Sequence, residues 1–370
     1  MKGRCAQHEA QAWADGCVRR HFPASSLSRH AAMVPADGLW LGASDPSCRP
    51  MIKRALGSTD MTISVIGLGT FAAGGWMWGQ QDDADTIAAV HAAVEGGVNW
   101  IDTAPIYGSG KADRAVAQAL AQLPAERRPL LFTKFGHHLV DGKRISSATR
   151  AEVVRDCDYN LKTFGVERLD LFQLHWPTPV QVTETAGACA ELLKAGKIRA
   201  VGVSNFSLAQ LDEWRATGVP LHSVQNAYSI VKAEAETDVL PWCAEHHVGF
   251  LAYSPLQRGL LFGHWGRDKT FPAGDHRSER PDFRGPRLAR YLAAVDELRI
   301  IAEEDELTVA QLAIGCLLGN EGLTGCIVGA RNATQGAALG DLGMPVKAKQ
   351  LAAVDAVIAR LSKDLAAITD

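Results

Sequence analysis

The sequence predicts an α/β fold, a closed (β/α)8 TIM barrel with an N-terminal β-hairpin and extra C-terminal helices. From residue 62 onward, short apolar or β-branched runs alternate with segments of helical spacing, a pattern typical of parallel strands joined by right-handed helical crossovers. Eight such units match the number in a closed barrel. A chain of 370 residues, 47% of them hydrophobic, is long enough for this barrel and excludes a chain that is disordered throughout.

Eight strands and the helices between them follow from this alternation. The predicted strands are residues 65–69, 98–102, 130–134, 170–175, 198–204, 223–227, 249–254 and 326–329. The predicted helices are residues 83–95, 113–123, 148–164, 182–195, 208–217, 234–246, 288–304 and 308–318. An open doubly wound sheet is the alternative, but it requires a GxGxxG loop after the first strand, and the segment from Gly67 to Ala72 lacks the third glycine.

Two segments stand before the first barrel strand. Residues 1–50 contain four prolines, three of the eight cysteines and no sustained apolar periodicity, which indicates a disordered leader or a start of translation at Met51. The catalytic barrel is therefore predicted to span residues 51–370. Its first part, MIKRALGSTDMTISVIGLGT, has two β-like pieces around a Gly-Ser-Thr-Asp turn, which predicts the hairpin.

Composition excludes several classes of partner. The net charge of −3 lacks the basic excess of a nucleic-acid-binding protein. The uncharged run from residue 62 to residue 81 is interrupted by five glycines and is too weakly apolar for a membrane span. The sequence has no CxxC pair and no two histidines at helical spacing, so it does not predict a metal site or a disulfide framework. We expect a cytoplasmic enzyme that acts on a small molecule without a metal.

Polar residues stand at almost every predicted strand end. They are Asp102, Lys134, His175, Ser204, Asn205, Gln225, Tyr253 and Ser254. A single aspartate or histidine at such a position is most often a cap or a satisfied polar residue. Because the carboxyl ends of barrel strands form one face, where active sites of such barrels are built, the whole succession indicates an active site.

Four of the residues near this face suit the reduction of a carbonyl group. Tyr107 follows Asp102 in the same loop, and a tyrosine titrates near ~10 unless a cation stabilises its phenolate. Lys134 is placed to supply that charge, with Asp102 holding the lysine, and His175 is placed to donate a hydrogen bond to the substrate oxygen. This set predicts proton delivery to a carbonyl oxygen as a hydride reaches the carbon.

A series of motifs resembles the aldo-keto reductase family. They are GGVNWIDTAPIYGSGKADRAVAQAL, LLFTKFG, LDLFQLHWPTP, KIRAVGVSNFS, SVQNAYS, YSPLQRGLL and CIVGARNATQ, and their order and spacing hold from about Met51 to Leu361. The HWP segment and the GDHRSERPDF loop are similar to those of bacterial general-stress-type members. The resemblance implies a catalytic tetrad of Asp102, Tyr107, Lys134 and His175, with Tyr107 as general acid in an NADPH-dependent reduction of an aldehyde or ketone.

The same resemblance implies where the coenzyme NADPH binds. It assigns to the nicotinamide Thr70, Ser204, Asn205 and Gln225, with Tyr253 stacked on the ring. It assigns to the pyrophosphate Ser254, Leu256, Arg258 and Gly259. It assigns to the adenosine phosphate Gly329, Arg331 and Gln335, and it places Arg277 in a loop that closes over the coenzyme. Three tryptophans in loops at this face, Trp76, Trp78 and Trp176, are predicted as walls of the substrate pocket, with packing on the surface as the alternative.

Three departures from the family pattern affect these expectations. Ala112-Asp113 replaces a Ser-Glu pair, His264 replaces a lysine, and Ala338-Leu339 replaces a Glu-Asn pair on the adenine side, so we expect weaker coenzyme binding. The sequence leaves open an NAD-preferring sugar or alcohol dehydrogenase and a cofactor-sensing subunit similar to ion-channel β-subunits. It does not predict the substrate or the oligomeric state.

Overall fold

The computed structural model of the chain describes residues 51–75, 77–140, 143–272, 274–344 and 346–368. The predicted leader, residues 1–50, and the predicted pocket residue Trp76 lie outside these ranges.

Two strands form a hairpin before the barrel, and a second hairpin interrupts it. In chain order the strands are β1 (Lys53–Ala55), β2 (Thr62–Ser64), β3 (Ile66–Gly69), β4 (Trp100–Asp102), β5 (Leu130–Phe135), β6 (His137–Val140), β7 (Lys143–Ser146), β8 (Leu169–Leu174), β9 (Ile198–Ser204), β10 (Ser223–Ala227), β11 (Gly249–Tyr253) and β12 (Leu323–Gly329). Strands β1 and β2 pair antiparallel, as do β6 and β7. The sequence analysis predicted the first hairpin and not the second.

The other eight strands close into a parallel barrel in the order β3-β4-β5-β8-β9-β10-β11-β12, with β12 pairing back to β3. This confirms the predicted fold class. The helices around the barrel are α1 (Asp83–Glu95), α2 (Lys111–Gln122), α3 (Arg150–Phe164), α4 (Val182–Lys194), α5 (Leu208–Ala216), α6 (Val239–Glu245), α7 (Gly285–Glu303), α8 (Val309–Leu318), α9 (Ala333–Ala338) and α10 (Ala348–Ala366).

Local sequence explains where several helices begin. Helix α3 begins with a capping box, in which Thr149 and Glu152 satisfy each other's backbone N–H groups. The continuous helix predicted over residues 234–246 is wrong. The chain leaves helical geometry at Asp238, whose carboxylate accepts the Val239 N–H at 2.6 Å, so α6 begins there after a separate short turn, Glu234–Glu236.

One end of the barrel is closed by apolar packing. Side chains two residues apart on a strand point to the same side, and inward residues such as Trp100, Phe132 and Leu171 form one core cluster with Leu56 and Ile63 of the hairpin. The hairpin turn lies at the amino ends of β10 and β11, because a Cβ on Gly57 would lie 2.8 Å from the backbone nitrogen of Gly249. The carboxyl end is therefore the open face, and Asp102 shares the inward side of β4 with Trp100.

A second, larger apolar cluster joins the outer side of the strands to the helices. In the described part of the chain, no helix is long and apolar enough to cross a bilayer.

Candidate active site

The barrel brings the four predicted catalytic residues together at its carboxyl face. Asp102 ends β4, Lys134 lies in β5, His175 directly follows β8, and Tyr107 lies in the loop before α2. The Lys134 Nζ donates to Asp102 Oδ1 at 2.5 Å and lies 5.5 Å from the centroid of the Tyr107 ring. The ring centroids of Tyr107 and His175 are 5.7 Å apart.

Asp102 and Lys134 form a buried ion pair, with 3% and 1% of their surfaces exposed. The second oxygen of Asp102 accepts from Gln173 Nε2 at 3.1 Å and from Gln225 Nε2 at 2.8 Å, and Lys134 also donates to the Thr103 carbonyl at 3.1 Å. Such bonds are required for a buried pair to offset the cost of removing its charges from water. The pair is therefore held rigidly below the Tyr107 ring.

Two glutamines carry part of this network. Gln173 was missed by the sequence analysis, although an amide flanked by two apolar residues near the carboxyl end of strand β8 was a usable signal. Gln225 was predicted to contact the nicotinamide. In the structure its Nε2 donates to Asp102 and, at 3.1 Å, to Gln173 Oε1, so it supports the carboxylate.

The electrostatics of Tyr107 differ from the expectation. Burial raises the pKa of Tyr107 well above its ordinary value, and the carboxylates of Asp102 and Asp113 raise it further. Lys134 is paired with Asp102 at 2.5 Å, in agreement with the predicted contact, and its stabilisation of the phenolate stays a prediction. Tyr107 thus keeps its proton across the neutral range and is available as a donor.

His175 is held in its neutral form. Burial lowers the pKa of its imidazole well below the ordinary value, and the neighbouring charge of Lys134 lowers it further. A neutral imidazole carries one N–H. His175 can therefore donate a single hydrogen bond to an oxygen beside Tyr107 without bringing a positive charge.

A second buried carboxyl, Asp113, lies behind this site. The Thr70 hydroxyl donates to Thr103 Oγ1 at 2.8 Å, and the Thr103 hydroxyl donates to Asp113 Oδ1 at 2.5 Å. Burial raises the pKa of Asp113 to about 6. Thr70, which was predicted to contact the nicotinamide, is thus part of the hydrogen-bonded chain that positions the loop after β4.

The pKa of Asp113 predicts a dependence of stability on pH. Between the ordinary value of 3.8 and about 6, the folded state binds more protons than the unfolded state, so the free energy of unfolding falls as pH rises through this window, by about 3 kcal/mol. Asp113→Asn removes this titration. Urea unfolding from about pH 4 to pH 7 should show the variant gaining stability over the parent by roughly that amount, and a difference independent of pH would contradict the assignment.

On the other side of the barrel mouth, Asn205 joins three strand ends. Its Nδ2 donates to the His175 carbonyl and to Ser204 Oγ, both at 3.0 Å, and its Oδ1 accepts from the Tyr253 hydroxyl at 2.8 Å. The backbone φ of Asn205 is 63°, in the left-handed region that asparagine tolerates better than most residues. These bonds fix the Tyr253 ring relative to His175.

The segment after β11 has unusual backbone geometry. Ser254, Gln257, Arg258 and Gly259 have φ values of 55°, 44°, 54° and 102°, of which the three non-glycine values are costly and cluster at ligand-binding sites in proteins. Leu256 between them is buried.

Arginines from two loops meet at this segment. Arg277 donates to the Arg258 carbonyl at 3.1 Å, pairs with Asp275, and stacks over Trp78 with its guanidinium 4.6 Å from the ring centroid. Burial and Arg280 lower the pKa of Arg258, and none of the described carboxylates forms an ion pair with it. The geometry therefore places a partly desolvated cation beside a strained turn.

Arg331 follows Gly329, the last residue of β12. Its Nε donates to Gln81 Oε1 at 2.8 Å and its Nη2 to the Gln80 carbonyl at 2.5 Å, while its backbone N–H donates to Gln335 Oε1 at 2.9 Å. Within the described ranges, no carboxylate pairs with this guanidinium, so its charge is not neutralised by the protein.

The predicted pocket tryptophans have different surroundings. Trp78 packs edge-on against Phe71 at 5.9 Å, and Phe71 in turn lies 5.1 Å from the Tyr107 ring. Trp176 follows His175 and is 44% exposed. Phe71 was missed by the sequence analysis, since nothing in its local pattern distinguishes it from a core residue.

A match to a family model identifies the protein family to which this fold and this site belong. The model of the aldo/keto reductase family matches residues 65–359. The chain belongs to this family. Its members reduce carbonyl groups with a nicotinamide cofactor, so the protein is an oxidoreductase of the aldo/keto reductase family.

Curated relatives and solved structures agree with this membership. The aldo-keto reductase YhdN of Bacillus subtilis (strain 168) is 37% identical over 294 residues, which is 79% of this chain and 88% of the relative. The NADH-specific methylglyoxal reductase of Escherichia coli (strain K12) is 31% identical over 302 residues, 76% of this chain and 90% of the relative. The glycerol dehydrogenase AKR11B4 from Gluconobacter oxydans superposes with a TM-score of 0.78 at 36% identity, covering 83% of this chain and 95% of the other.

Proposed function

We propose that this aldo/keto reductase uses NADPH to reduce an aldehyde or ketone to the alcohol, with Tyr107 as general acid and residues 51–370 as the catalytic unit. The observation that carries the proposal is the placement of a protonated Tyr107 beside a neutral His175 and above the Lys134–Asp102 ion pair, 5.5 Å from Lys134 Nζ. Proton donation of this kind contributes roughly 10²- to 10⁴-fold to the rate.

Each residue of the tetrad has a separate part in the reaction. A nicotinamide coenzyme, when bound beside Tyr253, supplies the hydride that reaches the carbonyl carbon. The neutral imidazole of His175 donates a hydrogen bond to the carbonyl oxygen and orients it toward Tyr107. The phenol gives its proton to that oxygen, which becomes the hydroxyl of the product. The charge left on Tyr107 faces Lys134, which Asp102 and its glutamine partners hold in place.

The residues present fit the remainder of the coenzyme. Arg258 forms no ion pair with a described carboxylate, although its side chain is partly buried, and anions suit such a cation next to the backbone N–H groups of a left-handed turn. Ser254, Leu256, Gly259 and Arg277 surround that turn. We infer that this segment binds the pyrophosphate, and that Asn205, Ser204 and Tyr253 hold the nicotinamide.

Cofactor preference depends on Arg331. Its unneutralised guanidinium suits a 2′-phosphate, for which a hydrogen bond to a charged group contributes roughly 1.5–3 kcal/mol, or about 10- to 150-fold in Kd. Arg331→Ala is therefore expected to weaken NADPH by that factor while changing the Kd of NADH little. Titrating both coenzymes into both proteins by tryptophan fluorescence measures this. Gln335→Ala removes the acceptor of the Arg331 backbone N–H but keeps the guanidinium, so it shows how much of the effect comes from that backbone hydrogen bond.

The alternative of an NAD-preferring dehydrogenase has support in the NADH-specific relative from Escherichia coli. Equal binding of NADH and NADPH by the parent protein, or equal weakening of both in Arg331→Ala, would favour that alternative. A steady-state assay of aldehydes, ketones and sugars by loss of NADPH absorbance tests the function itself. Tight binding of NADPH without turnover of any substrate would favour a cofactor-sensing subunit.

A further inference from the structure

The buried carboxyl of Asp113 is joined to the tetrad through its neighbours. Asp113 lies in the first turn of α2 and is fully buried. This turn is tied to the loop of the proposed proton donor, since the Ala112 N–H donates to the Tyr107 carbonyl at 3.3 Å. The Thr103 hydroxyl donates to Asp113 Oδ1 at 2.5 Å, and the Thr103 carbonyl accepts from Lys134 Nζ at 3.1 Å. One residue therefore connects Asp113 to the lysine below the Tyr107 ring.

The protein provides little to neutralise a charge on this carboxyl. Asp113 Oδ2 is buried and has no hydrogen-bond partner among the described residues. The buried cation nearby, Lys134, is paired with Asp102 at 2.5 Å, and the exposed Arg114 donates to the Ser109 carbonyl at 3.4 Å. A carboxylate that stays charged in such surroundings normally accepts two or three hydrogen bonds. Oδ2 is therefore the atom on which Asp113 takes up a proton.

Asp113 changes its charge in mildly acidic solution. Burial raises its pKa to about 6, although the hydrogen bond from Thr103 and the charges of Lys134 and Arg114 lower it, and Asp102 raises it. The titratable groups that reach this end of α2 from the helices beside it are Asp83 of α1, 3.6 Å from Lys111, and Tyr159 of α3, whose hydroxyl would lie 3.1 Å from a Cβ on Gly110. Above about pH 6 the site thus holds a second buried carboxylate besides Asp102.

The charge of Asp113 acts on the proposed proton donor. After burial and Asp102, the carboxylate of Asp113 raises the pKa of Tyr107. A proton that leaves the phenol creates a further negative charge in the same buried region, and a like charge nearby opposes this. When Asp113 is neutral, the phenol is therefore a stronger acid, and the rate of proton donation rises with the acidity of the donor.

We propose that Asp113 is a positioning residue for proton transfer, whose neutral carboxyl lets Tyr107 give up its proton readily and whose carboxylate holds that proton back. The inference rests on the proposed carbonyl reduction and adds its regulation by pH: reduction is faster in mildly acidic than in neutral solution.

The pH dependence of the chemical step tests this. The protein is loaded with NADPH and mixed with an aldehyde that it reduces, and the single-turnover loss of NADPH absorbance is followed from about pH 5 to pH 8. In the parent, the rate should fall by about 3- to 30-fold as the pH rises through about 6, since a nearby charge shifts a pKa by about one unit or more and part of that shift appears in the rate.

Two substitutions at the same position separate charge from packing. Asp113→Asn keeps a side-chain oxygen that can accept from the Thr103 hydroxyl, and it should retain the faster rate up to about pH 8, because no carboxylate forms. Asp113→Glu restores a titrating carboxyl, so the fall in rate with pH should return. Loss of activity by the same factor at every pH in both variants would show that Asp113 only supports the fold, and would overturn the inference.

Asp156→Asn is the matched control. Asp156 is also a buried carboxyl whose pKa is raised by burial, but its Oδ2 accepts from the Gly136 N–H at 3.1 Å, and the charges that raise the pKa of Tyr107 do not include it. This variant should show the pH profile of the parent. A parent rate that is constant over this range, or a parent-like fall in Asp113→Asn, would overturn the inference and leave the proposed function standing. Absence of hydride transfer from NADPH or NADH to any aldehyde or ketone would overturn the proposed function, and this inference with it.

Discussion

Tyr107→Phe is expected to lower kcat for carbonyl reduction by roughly 10²- to 10⁴-fold, because it removes the proton that the developing alkoxide requires. The ring remains, so its packing against Phe71 at 5.1 Å and His175 at 5.7 Å and the stability of the fold should change little. Coenzyme affinity should also persist, since the phenol is not among the groups proposed to bind phosphate. Steady-state kinetics together with fluorescence titration of NADPH separate these effects.

Tyr159→Phe provides the matched control, because Tyr159 is an exposed tyrosine on α3 and the variant removes a phenol hydroxyl outside the tetrad. Its kcat should equal that of the parent. Retention of full turnover by Tyr107→Phe would remove Tyr107 from the mechanism, and with it the assignment of proton transfer to this face.

Lys134→Met should lower the free energy of unfolding by about 3–5 kcal/mol, because it leaves the carboxylate of Asp102 buried without its cation. The two glutamine amides that reach Asp102 Oδ2 at 3.1 Å and 2.8 Å do not replace a full positive charge. Adding Asp102→Asn to Lys134→Met should recover much of the loss, since no buried charge then remains. Turnover should stay low in both variants, and urea unfolding measures the stability.

The chain offers a control with the same contact distance and different burial. Lys197 Nζ lies 2.5 Å from Asp158 Oδ1, as Lys134 Nζ does from Asp102 Oδ1, but its side chain is 38% exposed. Because water screens an exposed pair, Lys197→Met should cost only roughly 0–1 kcal/mol. Similar losses in Lys134→Met and Lys197→Met would show that burial does not set the contribution of the inner pair.

Local patterns explain why the barrel and its catalytic face could be predicted. The alternation of strands and helices depends on spacing along the chain, and carboxyl ends of parallel strands necessarily share one face. Asp102, Lys134 and His175 could therefore be placed together before any contact was known. The hairpin β6–β7 was missed because its strands, HHLV and KRIS, show no apolar alternation, although the Asp-Gly pair between them in the sequence is a hairpin signal. The break at Asp238 depends on one capping bond, which competes with an otherwise helical pattern.

The sequence by itself determined the fold class, the order of the strands and the placement of Asp102, Lys134 and His175 at the barrel mouth, because these follow from periodicity and from the geometry of a closed parallel sheet. Only the tertiary structure decided what those residues do to each other. Gln225 supports Asp102, burial raises the pKa of Tyr107, and His137 lies 4.9 Å from His175. Each of these depends on the distance and burial of groups far apart in the chain, and electrostatic and hydrogen-bond energies vary steeply with both.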